Sequence, residues 1–185
     1  MASLSQAQLQ AANEFAEATI EAIRDQRGVH AETAIAALAR MAGTFLFRSF
    51  RFEIPDLTPG QAVFSDQANE AGPLLLELLG STLVALEVDL DPSKLTGKAD
   101  PTRPPRKSFL ETQKLLEPRL APIRERHDLS LKEAAEAAAA GTAFLIRHGV
   151  NVLDPHVAFN LAVLGFIEGA KTAPDPVGLP FAAQR

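Results

Sequence analysis

The sequence predicts an all-α protein, about six helices in a single bundle-like or orthogonal array. Three observations carry that expectation. Apolar residues recur at three- and four-residue steps through most of the chain, the period of a helix with one buried face. Several of these runs begin at a hydroxyl or aspartate residue with Glu, Gln or Pro placed as helix starts require. The 185 residues are 46% hydrophobic and 22% charged, a composition that suits one packed core and argues against a disordered chain.

The first helix occupies the opening 25 residues. Leu9, Ala12, Phe15, Ala16, Ile20 and Ile23 line one face, and Glu14, Glu17, Glu21 and Asp25 fill the other. Gly28 ends it, since glycine enters the left-handed conformation at little cost. A second helix is expected over about 30–49, with Ile35, Leu38, Met41, Ala42, Phe45 and Leu46 as its core stripe. Thr58-Pro59-Gly60-Gln61 reads as the start of the third, with a hydroxyl cap, a first-turn proline and a glutamine. That helix is expected to break or kink near Gly72-Pro73 and to resume through 74–86.

Residues 89–107 read as a Pro-rich linker, because Pro92, Gly97, Pro101, Pro104 and Pro105 suppress regular structure. It joins halves 1–88 and 108–171 of one helical domain. Ser108 with Glu111 opens a fourth helix to about Leu116, after which Pro118 and Pro122 predict a kink or a restart. Ser130 with Glu133 opens an Ala-rich helix ending at Gly149, and Asp154-Pro155 starts the last long helix. The tail, 172–185, is rich in proline and expected to be extended.

Two stretches compete with the helical period. Residues 48–54 and 149–153 alternate apolar with polar or small residues, the signature of strands. They read as extended connectors or as two very short strands. They also belong to a faint internal repeat: Ala42-Gly43-Thr44 and Ala140-Gly141-Thr142 are each followed by a bulky apolar run and an arginine, Arg48 or Arg147. Glycine inside a helix costs about 1 kcal/mol against alanine, so close packing is expected at both.

Charge and composition narrow the function. The formal charge of −5 divides unevenly, with an acidic first half, a basic segment at 94–126 and a mildly acidic end. An acidic body is a poor match for duplex nucleic acid. The basic segment is expected to fold back on the acidic half or to stay solvated. Without cysteine, thiol catalysis, disulfides and Cys-ligated metals are excluded. The first basic residue is Arg24, so no charged leader is visible, and no apolar stretch reaches the roughly 20 residues that span a bilayer. The expected location is the cytoplasm.

No phosphate loop, dinucleotide fingerprint, nucleophile elbow or zinc-protease motif occurs. No catalytic residue, cofactor or metal is assigned from the sequence. His127-Asp128 reads as a helix end, and Glu87, Asp89 and Asp91 as a solvated one. The most concentrated feature is Phe45, Phe47, Phe50 and Phe52 interleaved with Arg48 and Arg51. One helix face cannot hold all four rings. They must meet the chain's own core, a second subunit or an apolar ligand with an anionic end. Phe47, Arg48, Phe50, Arg51 and Arg147 are therefore the candidate interface or ligand-binding residues. The first functional reading is a non-enzymatic interaction module, a homodimer or a partner of another protein. The alternative is a small-molecule-binding or metal-dependent helical enzyme built on His148, His156 and neighbouring arginines and carboxylates.

Overall fold

The computed structural model describes residues 4–177. Six α-helices make up the described chain: α1 (Gln6–Ile23), α2 (Ala31–Ser49), α3 (Asp66–Ala85), α4 (Phe109–Arg126), α5 (Leu131–Gly149) and α6 (Pro155–Ala170). The all-α expectation is met. Five of the six starts carry a side-chain cap, from Ser5, Ser65, Ser108, Ser130 and Asp154. Ser108 with Glu111 and Ser130 with Glu133 form the reciprocal boxes expected of them, and Ser5 with Gln8 forms a third. Each satisfies amides that the helix itself leaves unbonded.

α2 is the central element, buried at every position from Glu32 to Arg48. It packs on α6 and α5, while α1 packs on α5 and α4, and α3 on α5. The approach is close because the facing residues are small. α2 brings Ala36, Ala39 and Gly43, and α6 brings Gly165 and Gly169. A Cβ on Gly43 would stand 2.5 Å from the Phe166 carbonyl oxygen, and one on Gly165 would stand 2.7 Å from Ala39 Cβ. α5 meets α1 in the same manner, with Gly141 against the Ala12 carbonyl. The repeated Ala-Gly-Thr therefore marks two helix contacts. Exchanging α1, α2 and α3 for α4, α5 and α6 turns the α2–α6 contact into α5–α3, and α1–α5 into α4–α2. The chain has the pairing pattern of two interlocked three-helix units.

Several local expectations give way. Thr58 and Gln61 do bond, but as a turn: Gly60 enters the left-handed region at φ 84° and turns the chain out of a helix. The third helix starts instead at Ser65. It runs unbroken through Pro73, because residue 72 is glycine and offers no Cβ to the proline ring. The carbonyl that Pro73 leaves unbonded belongs to exposed Asn69. α4 likewise runs on through Pro118 and Pro122, both on its exposed side. Neither alternating stretch is a strand. In 50–54 the chain turns at Arg51, φ 51°, and Val152 and Leu153 bond back to the Gly149 carbonyl. The bridges among the described residues are isolated ones, Asp25 with Gly28 and Ala62 with Thr172. No helix of the described residues is long and apolar enough to cross a membrane.

The linker lies on the helices. Asp91 N–H donates to His156 Nε2, Asn160 bonds both Gly97 N–H and the Lys94 carbonyl, and Arg106 N–H donates to Thr33. The basic segment also pairs with the acidic first half, Arg103 with Glu32 and Arg126 with Glu14. The described start of the tail, 172–177, is pinned to the helices and the 60–63 loop and bends at 175–177, and the rest of it lies outside the described residues.

Candidate functional site

The Phe-rich end of α2 divides between two apolar clusters. Phe45 faces the main core and stacks near Phe15, with ring centroids 5.9 Å apart. Phe47, two residues on, points to the other side and is only 3% exposed. It anchors a second cluster with Val63 and Ala173, on which Phe52, Leu57 and Val177 pack. Phe52 meets Phe47 edge-on at 5.1 Å and Phe50 at 5.4 Å, geometries that rings favour. The rings thus fold the 50–64 loop and the start of the tail onto the end of α2. The backbone seals the join: Gly60 N–H donates to the Ala173 carbonyl, Ala173 N–H to the Gln61 carbonyl, and Val63 N–H to the Lys171 carbonyl.

Arg48 is buried beside Phe47. Its Nε lies 2.6 Å from Glu117 Oε1 and its Nη2 donates to Glu117 Oε2 at 3.0 Å, a two-pronged pair, while Nη1 donates to the Pro176 carbonyl. Gln113 extends the network to Glu117 and to both backbone groups of Asp175. Two helical turns back along α2, beyond Thr44, buried Arg40 bonds Glu168, the Lys107 carbonyl and Thr112. Arg40, Thr44 and Arg48 form a buried polar row at four-residue spacing on a mostly apolar helix. Its two ends hold the linker and the tail.

The remaining candidates stand apart. Arg51 is exposed at the turn. Arg147 is exposed at the end of α5 and donates to the Leu86 carbonyl. His148 borders an apolar groove at the ends of α1 and α5. His156 is held between Asp154 Oδ1 on Nδ1 and the Asp91 amide on Nε2. An amide N–H can donate only to an unprotonated ring nitrogen, so this contact needs the Nδ1–H tautomer. His148 and His156 share no partner, and among the described residues no three His, Asp or Glu side chains are grouped to hold a metal ion. Asp128 takes φ 51° just after α4, and His127 bonds Glu14, as a helix end would.

Sequence reasoning missed four functional-looking features. Arg40 was readable as the i−8 partner of Arg48. Gly165 and Gly169 have the four-residue spacing of a close helix contact. Glu117 and Phe64 carried no signal in the sequence. Phe64 is 86% exposed, next to buried Val63. A groove of about 190 Å³ opens between α3 and α6, lined by Ala68, Gly72, Pro73, Leu76 and Ile167 among others.

Among the carboxylates held below their ordinary range by hydrogen bonds are three glutamates: Glu14 by His127 and then Arg126, Glu111 by Ser108, and Glu133 by Ser130. A carboxylate depressed in the folded chain binds fewer protons there than when unfolded. Its contribution is complete above the ordinary value of 4.5 and is lost as the pH falls through the depressed one. The urea midpoint should therefore fall steadily as the pH is lowered below about 5. Glu14→Gln should flatten that fall; an unchanged slope would show that Glu14 contributes nothing to it.

Comparison with protein-family models, curated proteins and solved structures finds no match.

Proposed function

We propose that the chain is a non-enzymatic interaction module, cytoplasmic, that forms a homodimer through the surface around Phe64. The observation that carries this reading is the exposure of that ring. Burying a phenylalanine is worth about 1.5–3 kcal/mol, yet the bond from Val63 N–H to the Lys171 carbonyl holds the neighbouring backbone with Phe64 in water. Val63 and Lys171 also place the ring near the α3–α6 groove, where Ile167 is 47% exposed. A knob beside a groove on one surface suits a two-fold interface, in which each copy offers the same patch to the other.

The earlier candidates Phe47 and Arg48 serve this reading indirectly, by fixing the loop that presents Phe64. Phe47→Asp would bury a carboxylate and unfold the loop, so it cannot report on an interface. Phe64→Asp and Ile167→Lys change exposed positions and should leave the melting temperature within about 2 °C, as surface changes usually do. Light scattering across a concentration series should give a dimer mass for the parent chain and a monomer mass for each variant. A parent chain that stays monomeric throughout, or a dimer indifferent to both changes, overturns the proposal.

A further inference from the structure

The two halves of the chain have little packing of their own. Within the first half, α2 touches α1 and α3 lightly; within the second, α5 touches α6 lightly and α4 packs on neither. The extensive contacts all cross between the halves: α2 on α6 and α5, α1 on α5, and α3 on α5. The tightest approaches cross as well. Gly43 meets the backbone of α6, Gly165 and Gly169 meet α2, and Gly141 meets the Ala12 carbonyl of α1. So do the ion pairs of Arg48 with Glu117 and Arg40 with Glu168, and the bond from Gln8 to Glu136. Each half is an open layer whose apolar face the other half covers. That is the anatomy of an obligate dimer interface, which resembles a domain core cut in two.

A second copy of the chain carries the same two halves. Its second half therefore fits the first half of this chain as well as the chain's own does. Only the linker, 89–107, distinguishes them. A short tether holds its two ends at an effective concentration on the order of millimolar, so below that concentration each chain pairs with itself.

We propose that the face between the halves is an interaction surface for a second copy of the chain. The first half of one copy pairs with the second half of another, giving a dimer with exchanged halves wherever the tether is cut or outcompeted. Exchange of this kind makes a dimer without any new surface. The proposal does not rest on the Phe64 reading.

The test uses the full chain carrying Phe64→Asp and Ile167→Lys, which removes any dimer through that other surface. A protease recognition sequence is inserted between exposed Lys98 and Ala99. After cutting, the two pieces should run in light scattering as one particle of parental mass. Each ten-fold dilution should favour urea unfolding of the cut chain about ten-fold and leave the uncut chain unmoved, because only the cut one unfolds into two molecules. Cut samples with and without isotope labels, unfolded and refolded together, should give hybrid particles in native mass spectra about as often as matched ones. The uncut chain, refolded at about millimolar concentration, should give dimers, and refolded about a hundred-fold more dilute it should give monomers. Cutting those dimers should release particles of monomer mass. Unfolding of the cut chain that ignores dilution, or pieces that stay folded when separated, would show two self-sufficient halves and overturn the proposal. Absent hybrids, uncut chains that refold only to monomers at millimolar concentration, or dimers that survive cutting overturn the exchange between copies.

Discussion

Gly43→Ala should destabilise the protein by about 3 kcal/mol, the upper end of what overpacking a core usually costs. The added methyl carbon would stand 2.5 Å from the Phe166 carbonyl oxygen, 2.6 Å from Ala170 N and 2.7 Å from Gly169 Cα. All three are backbone atoms, so no side chain can rotate away and α6 itself must shift. That shift would spread, because α6 also carries Glu168, which pairs with Arg40, and Asn160, which holds the linker. Helix propensity works in the opposite direction, since alanine is favoured over glycine by about 1 kcal/mol. Gly80→Ala isolates that term: a Cβ there meets nothing within 4 Å, so the change should stabilise by up to about 1 kcal/mol. Urea unfolding of the two variants beside the parent separates packing from propensity. If Gly43→Ala proves as stable as Gly80→Ala, α2 and α6 do not pack as closely as described.

This contrast also shows how far the sequence could be read. Periodicity marked most of the buried face of α1, with Leu9 the exception at 46% exposed, and local caps such as Ser108 with Glu111 marked helix starts, because both depend on neighbours within four residues. The sequence signal at Gly43 and Gly141 was sound as a cost awaiting a reason, and the reason lay on α6 and α1. Prolines 73, 118 and 122 misled because their effect depends on exposure: a carbonyl without its intrahelical partner is harmless where water can reach it. Thr58 to Gln61 misled because one glycine dihedral decides between a turn and a helix. The candidate sites were least legible. Whether Phe47 is core and Phe64 surface depends on the bonds between 60–63 and 171–173, more than a hundred residues apart, and no local pattern encodes them.

Arg48→Met should cost about 3–5 kcal/mol, the range for removing one partner of a buried pair. The substitution roughly preserves the apolar stem but leaves the Glu117 carboxylate, 12% exposed, without its counter-charge. Gln113 would still donate to it, and one neutral donor does not replace a guanidinium fork. The Pro176 carbonyl loses its donor as well, so the loss should reach the tail: amides near 173–177 should exchange faster with solvent. Glu117→Leu alone should cost a comparable amount by stranding Arg48. The double variant, Arg48→Met with Glu117→Leu, should recover much of the loss, because two apolar chains need no counter-charge and desolvation often cancels the attraction between buried ions. A double-mutant cycle reads the coupling directly. If the double variant were destabilised by the sum of the two singles, the pair would not be coupled, and Arg48 would have to be explained by its bond to the tail alone. Recovery of global stability with persistent fast exchange at 173–177 would divide the two roles: the ion pair neutralises charge in the core, and the Pro176 contact fastens the tail.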